Sequence, residues 1–164
     1  MKELLNPIRT LEKDYHSQDP EFVSKLEFGE SLLLSGDYTS ATEQFNKAIE
    51  LDTKNPGGWI GRAIAEICET SSEEIFSVNV DEYLNRAKSL DASENIIKYT
   101  ALACGLIAFK HSSAIKSHIQ LQQQALANKK VAQANAIVGG AMAVLGGAIA
   151  SNSKGTFSKV VGYS

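Results

Sequence analysis

Apolar positions recur at three- and four-residue spacing along most of this chain, the pattern of amphipathic helices. Leu4, Leu5, Ile8, Leu11 and Tyr15 share one face and predict a first helix over 3–16. Pro7 falls in its first turns, where a missing N–H costs little. "SQDPE" at 17–21 breaks the pattern. Asp19 there suits the cap of a second helix, with Pro20 at its first position and Glu21 in its first turn. That helix, over 20–35, carries Phe22, Leu26, Phe28, Leu32 and Leu33. Gly36 in "SGDY" supplies the positive φ that ends it. A third helix over 39–51 uses Ala41, Phe45, Ala48, Ile49 and Leu51. A fourth over 58–69 uses Trp59, Ala63, Ile64 and Ile67. "ETSSEEIFSVN" at 69–79 is irregular and predicts a loop with a short helical turn. A fifth helix follows over 81–90, then a turn capped by Ser93, then a sixth and very apolar helix over 95–110.

Two antiparallel helices in close contact need small residues where their backbones cross, large apolar residues on the flanks, and a tight polar turn between them. Gly29 and Leu32, then Gly36-Asp37-Tyr38, then Ala41, Phe45 and Ala48 meet each demand. The pattern restarts at Asn55-Pro56 and Trp59. This stretch resembles a tetratricopeptide repeat, whose period is 34 residues. Phe28, Gly29, Leu32, Ala41, Phe45 and Ala48 fall on signature positions of one repeat, and Trp59 and Ala63 on those of the next. The match is specific over 22–63. A weaker echo follows: "LNRAKSLDASEN" at 84–95 parallels "FNKAIELDTKNP" at 45–56, with an offset of 39 residues rather than 34. Two strict repeats leave apolar faces open, so the flanking helices are expected to act as caps.

The resemblance implies a concave groove lined by the first helix of each repeat, which in this family holds a peptide or a helix. By position, the groove residues are Val23, Leu26, Glu30 and Leu33 in the first repeat and Ile60, Ile64 and Ile67 in the second. One branch of the family clamps a C-terminal carboxylate with Lys, Asn and Arg. Here Leu26, Glu30 and Gly61 stand at clamp positions, which speaks against that use and for an apolar helix as occupant. The alternative is that these residues pack against the chain's own later helices.

Residues 112–138 read as a long helix rich in Ala and Gln, with Ile115, Ile119, Leu126 and Ile137 as sparse anchors. "AIVGGAMAVLGGAIAS" follows at 136–151 without charge. Gly139, Ala143, Gly147 and Ser151 recur every four residues and form a stripe of small side chains, along which another helix or a membrane helix contact can approach closely. A membrane span needs about 20 apolar residues. Only 15 lie between Asn135 and Ser151, and extending the run back to Val131 adds Gln133 and Asn135. Lys129 and Lys130 flank one side, Lys154 and Lys159 the other. A protein-packing or oligomer helix, a membrane-associated segment over 131–151 and a Gly-rich tail all remain open. The end, "NSKGTFSKVVGYS", reads as a loop and a short extended segment, with Phe157, Val160, Val161 and Tyr163 able to dock on a partner.

Charge changes the picture more than composition does. Residues 1–94 hold 19 acidic and 9 basic residues, a net −10, whereas 95–164 hold 7 basic and none acidic. Such a split points either to attraction between the halves, within or between chains, or to a polyanionic partner such as an anionic membrane. The basic residues of 95–164 are thinly spread, include no Arg and have few aromatics beside them, so nucleic acid is not the expected partner. Cys68 and Cys104 lack CxxC spacing and read as small thiols in a reducing compartment. The start, "MKELLNPIRTLEKDY", lacks the apolar core of a secretory signal. A cytoplasmic protein, peripheral or tail-anchored at a membrane if the Gly-rich segment enters one, is the expectation.

Catalytic chemistry is thin. His111 and His118 share a helix side, but no acidic residue follows Glu94 to complete a local metal set, and His16 suits a helix end. No phosphate loop, HExxH, GxSxG or paired-Cys zinc pattern occurs. The sequence therefore predicts an all-α protein with no enzymatic activity, cofactor or metal. A tetratricopeptide-like helix-pair array with an N-terminal capping helix covers 1–111. A long helix running into the Gly/Ala-rich apolar segment covers 112–151, and a tail covers 152–164. The expected role is protein–protein interaction or assembly, holding an apolar helix or peptide and self-associating through the C-terminal helix.

Overall fold

The computed structural model describes residues 3–72, 74–76, 80–91 and 93–156, with the side chains of Phe76 and of 144–156 outside the described set. Every element among the described residues is helical. A 3-10 turn, Asn6–Thr10, runs into a short helix α1, Leu11–Asp14. Then come α2 (Pro20–Ser35), α3 (Tyr38–Leu51), α4 (Pro56–Glu69), a 3-10 turn at Glu74–Phe76, α5 (Asp81–Leu90) and α6 (Glu94–Thr156). The chain divides into two compact units, Met1–Lys116 and Ser117–Ser164.

Helix boundaries follow local chemistry. The Asp19 side chain accepts from the N–H groups of Glu21 and Phe22, and Pro20 opens α2. Gly36 ends α2 at φ 99°, with its N–H on the Leu32 carbonyl. A Cβ is strained at that φ, so glycine fits the position. Asp37 caps α3 through Ser40 N–H, and Asn55 caps α4 through Gly57 N–H.

Within the first unit α2 packs on α3, α3 on α4, and α4 on α5. The tightest approach centres on Phe45 of α3, which is fully buried. A Cβ added at Gly61 of α4 would lie 2.3 Å from the Phe45 ring, and one at Gly29 of α2 would lie 2.7 Å from it. The two glycines therefore make the slot into which the phenyl ring fits from between two helices. Filling that slot with an aromatic ring is worth about 3–5 kcal/mol relative to alanine. The first half of α6 adds Ile96, Tyr99, Leu102, Ala103 and Leu106 to the same core.

Two expectations change in the first unit, and a third in the second, where 152–156 continues α6 instead of forming a loop. The N-terminal stretch is not one helix over 3–16. Its apolar set stays together, with Leu5, Ile8, Leu11 and Tyr15 buried, while Leu4 is exposed. With Pro7 near its start the segment winds as a 3-10 turn and then barely one α turn. The second change concerns 110–112, where no helix ends. "KHSS" contains neither Gly nor Pro, and α6 runs through it without interruption.

Candidate functional site

The seven residues assigned to a groove lie on α2 and α4, and they do not form an open surface. Leu26, Leu33, Ile60, Ile64 and Ile67 are fully buried, Glu30 is 8% exposed and Val23 is half-buried. The chain's own N-terminal segment covers this face. The Glu12 N–H donates to Glu30 Oε1 at 2.6 Å, and Asn55 Nδ2 donates to the Tyr15 carbonyl at 2.9 Å. A Cβ at Gly57 would meet Tyr15 Cβ and Leu26 Cδ2, each at 3.1 Å. The binding face expected from the helix pattern is thus occupied in cis. A buried apolar residue reads the same in sequence whether its neighbour is a partner or its own chain.

The far side of the segment is tied to α6. Tyr99 Oη donates to Asp14 Oδ2 at 2.7 Å, and Lys98 Nζ reaches the same oxygen at 2.7 Å. Thr10 Oγ1 completes the cluster at 3.1 Å from Asp14 Oδ2. Tyr15 Oη donates to Asp91 Oδ2 at 2.6 Å, just before α6 begins. Burial opposes ionisation of Asp14, but the Lys98 and Tyr99 hydrogen bonds outweigh it and hold its carboxyl below the usual range. Burial likewise opposes Asp91, and the hydrogen bonds from Tyr15 and Ser93 reverse the balance. Burial and their carboxylate partners push both Tyr15 and Tyr99 upward. The contacts of Tyr15 with Asp91, of Asp14 with Lys98 and Tyr99, and of Thr10 with Tyr99 could not be read from helical periodicity, because they join residues 76–89 positions apart.

Glu30 is the unusual group. Burial pushes its carboxyl up to about 7, against the lowering effect of the Glu12 N–H, and repulsion from Glu12, Glu27 and Asp14 adds to the rise. Lys110 is the other buried charge, 6% exposed. Its Nζ donates to the Cys68 carbonyl at 2.7 Å and to the Thr70 carbonyl, at the C-terminal end of α4. A cation there satisfies carbonyls that the helix leaves open and suits the negative end of its dipole. Burial drives the Lys110 ammonium downward and the Cys68 thiol up to about 11.

His118 faces Gln122 one turn on, His16 pairs with Glu12 at 2.6 Å, and no cluster among the described residues could hold a metal ion. An aromatic group joins α4 to α5: Trp59 stacks on Tyr83 at 6.4 Å, with Arg62 over Tyr83 and Arg86 over Trp59. Such stacking fits a structural joint.

The exposed apolar surface lies elsewhere. In 117–143, Ile119, Leu121, Leu126, Val131, Ile137, Val138 and Met142 are all exposed. At 3.6 residues per turn, Ile119, Leu126 and Ile137 fall within about 20° of one another, and Val131, Val138 and Met142 line a second face. Among the described residues, Gly139 has open space around it and Ala143 is exposed. Gly147, Ser151 and the docking residues Phe157, Val160, Val161 and Tyr163 lie outside the described side chains. Among the described residues, no helix is long and apolar enough to cross a membrane. A second apolar feature sits in the first unit. Ile96, Ile97, Thr100, Ala101 and Cys104 of α6, with Lys88 of α5, line an open groove of about 520 Å³.

No known protein family, curated protein or solved structure matches the chain.

Proposed function

We propose that the protein is a non-enzymatic assembly module of tetratricopeptide-like helix pairs whose docking element is the exposed part of α6. The observation that carries this reading is the row Ile119, Leu126 and Ile137, large apolar side chains 47–73% exposed on a stretch of α6 in which no acidic residue follows Glu94. A helix apolar on more than one face normally packs on something. The face first expected to bind, on α2 and α4, already holds residues 3–16. The module's partner is therefore a protein surface that is apolar and acidic, matching residues 119–156 of α6, whose charged residues are all lysines.

The test is affinity capture with the purified full chain against its Ile119→Asp/Leu126→Asp variant. The reading expects a stoichiometric partner held by the full chain and lost by the variant, with the circular dichroism melt of the helix-pair unit unchanged. Equal capture by both proteins would remove α6 as the docking element.

A second reading is attachment to an anionic membrane through 131–151. It draws on Val131, Ile137, Val138 and Met142, which are exposed around the helix, and on the lysines flanking that segment. Flotation of the full chain with anionic and neutral vesicles separates the two. Binding that needs anionic lipid favours the membrane, and an unbound chain favours the protein partner.

A further inference from the structure

The helices of the first unit come in pairs. α2 turns at Gly36 and is covered by α3; α4 is covered by α5. Among the described residues no helix follows α6. Its first half buries Ile96, Tyr99, Leu102, Ala103 and Leu106 on one side. On the other side Ile97, Ala101, Cys104 and Ala108 recur at four-, three- and four-residue spacing and are all exposed, Ile97 to 67%. This is the face along which a second helix of the pair would lie, and the open groove of about 520 Å³ runs over it. Its floor is made of small side chains, Thr100, Ala101 and Cys104, flanked by Gly105 and Ala108, which admit a close helix. α6 itself stays helical past 110.

Resting on the reading of α6 as a docking element, we propose that the occupant is a second copy of this chain, whose Ile119–Leu126 face seats in the α5–α6 groove. Large residues meet small ones: Ile119 and Leu126 against Ala101, Cys104 and Ala108. The net charges of the two units are opposite. Residues 1–116 hold 19 acidic and 12 basic residues, a net −7, and 117–164 hold four lysines and no acidic residue. At the contact itself, residues 119–128 are uncharged, so Lys88 on the groove wall meets no like charge. Two identical helices side by side would instead bring lysines together without an acidic counterpart. Each copy has one groove and one such face, so reciprocal exchange closes a dimer and one-way exchange gives a longer chain of copies.

The experiment uses thiol crosslinking in the full chain. Cys104 is exposed in the groove and Cys68 is buried. Ile119→Cys places the second thiol. Light and ¹⁵N-labelled proteins are unfolded together, refolded as a mixture, treated with a short bifunctional maleimide and analysed by mass spectrometry. The proposal expects peptides joining Cys104 of one isotope to position 119 of the other, in dimers or larger species. It also expects their loss on adding Ile97→Asp and their decline as salt is raised. Links only within one isotope mean that the chain covers its own groove, and this overturns the second copy. Links only between two Cys104 thiols, or none, overturn it equally. If crosslinking fails while Ile119→Asp/Leu126→Asp still abolishes partner capture, the docking helix stands with another partner. If both fail, both readings fall.

Discussion

The backbone N–H of Glu12 donates to the Glu30 carboxylate at 2.6 Å, and this bond fastens the N-terminal segment to α2. It joins a donor that wants an ionised acceptor to a carboxyl that burial holds near 7. In the unfolded chain the same carboxyl titrates near 4.5. Between those values the folded state keeps a proton that the unfolded state has lost. Stability from this group is therefore full below about pH 4.5 and is lost as pH rises through about 7. Glu30→Gln keeps an acceptor for Glu12 and removes the titration. The wild-type urea midpoint should fall between pH 5 and pH 8 by the equivalent of about 1–3 kcal/mol more than that of the variant. Parallel curves would mean that Glu30 does not titrate in this range.

The slot around Phe45 makes a second prediction. Alanine is a better helix former than glycine by roughly 1 kcal/mol. At Gly61 that gain should be overwhelmed, because the new methyl group would stand 2.3 Å from the phenyl ring. Overpacking of this kind costs about 1–3 kcal/mol. Gly61→Ala should lower the thermal midpoint, and Phe45→Leu in the same protein should recover part of the loss. The check is a double-mutant cycle by chemical denaturation. Strict additivity would show that the two residues do not share the slot.

Gly61 and Phe45 also show what the sequence makes legible. Helices α2 to α5 fall within two residues of their periodic patterns, because caps at Asp19, Asp37 and Asn55 and the turn at Gly36 are local signals. The composition of the face on α2 and α4 was legible too. Its occupant was not, since Glu12 and Glu30, or Asp14 and Tyr99, are brought together only by folding. Periodicity reports that Leu26 and Ile64 are buried and is silent on what buries them. The missing break at 110–112 has a different cause. His111-Ser112-Ser113 looks like a turn by polarity, but none of these residues forbids helical φ and ψ. Lys110 is anchored to α4 by its ammonium group alone, which leaves its backbone free to stay helical.

That anchor can be tested at Lys110. Methionine keeps the length and the apolar stem and removes the three donors. Lys110→Met leaves the carbonyls of Cys68 and Thr70 without this donor, at a cost of about 1–3 kcal/mol. The last turn of α4 should then open more often. Two readouts report it: faster amide exchange over 66–70, and faster alkylation of Cys68, whose thiol burial holds up near 11. Cys104, exposed, should react quickly in both proteins. Unchanged exchange and alkylation in the variant would show that Lys110 does not hold the α4 terminus.

Gly139 and Gly140 test whether the small-residue stripe has a contact role. Among the described residues nothing comes within 4 Å of a Cβ at either position, and neither has a positive φ. If close helix approach does not use them, each glycine only weakens the helix. Gly139→Ala and Gly140→Ala should then stabilise the local helix by roughly 0.5–1 kcal/mol apiece. Amide exchange over 135–143 should slow accordingly, and crosslinking between Cys104 and position 119 should be unchanged, because that contact lies two turns or more toward the N-terminus. A stripe that another helix presses against behaves in the opposite way. There the added methyl groups would separate the backbones and weaken association while helix content rose. Slower exchange with intact association assigns docking to the large side chains at Ile119 and Leu126. Slower exchange with lost association assigns it to the glycines.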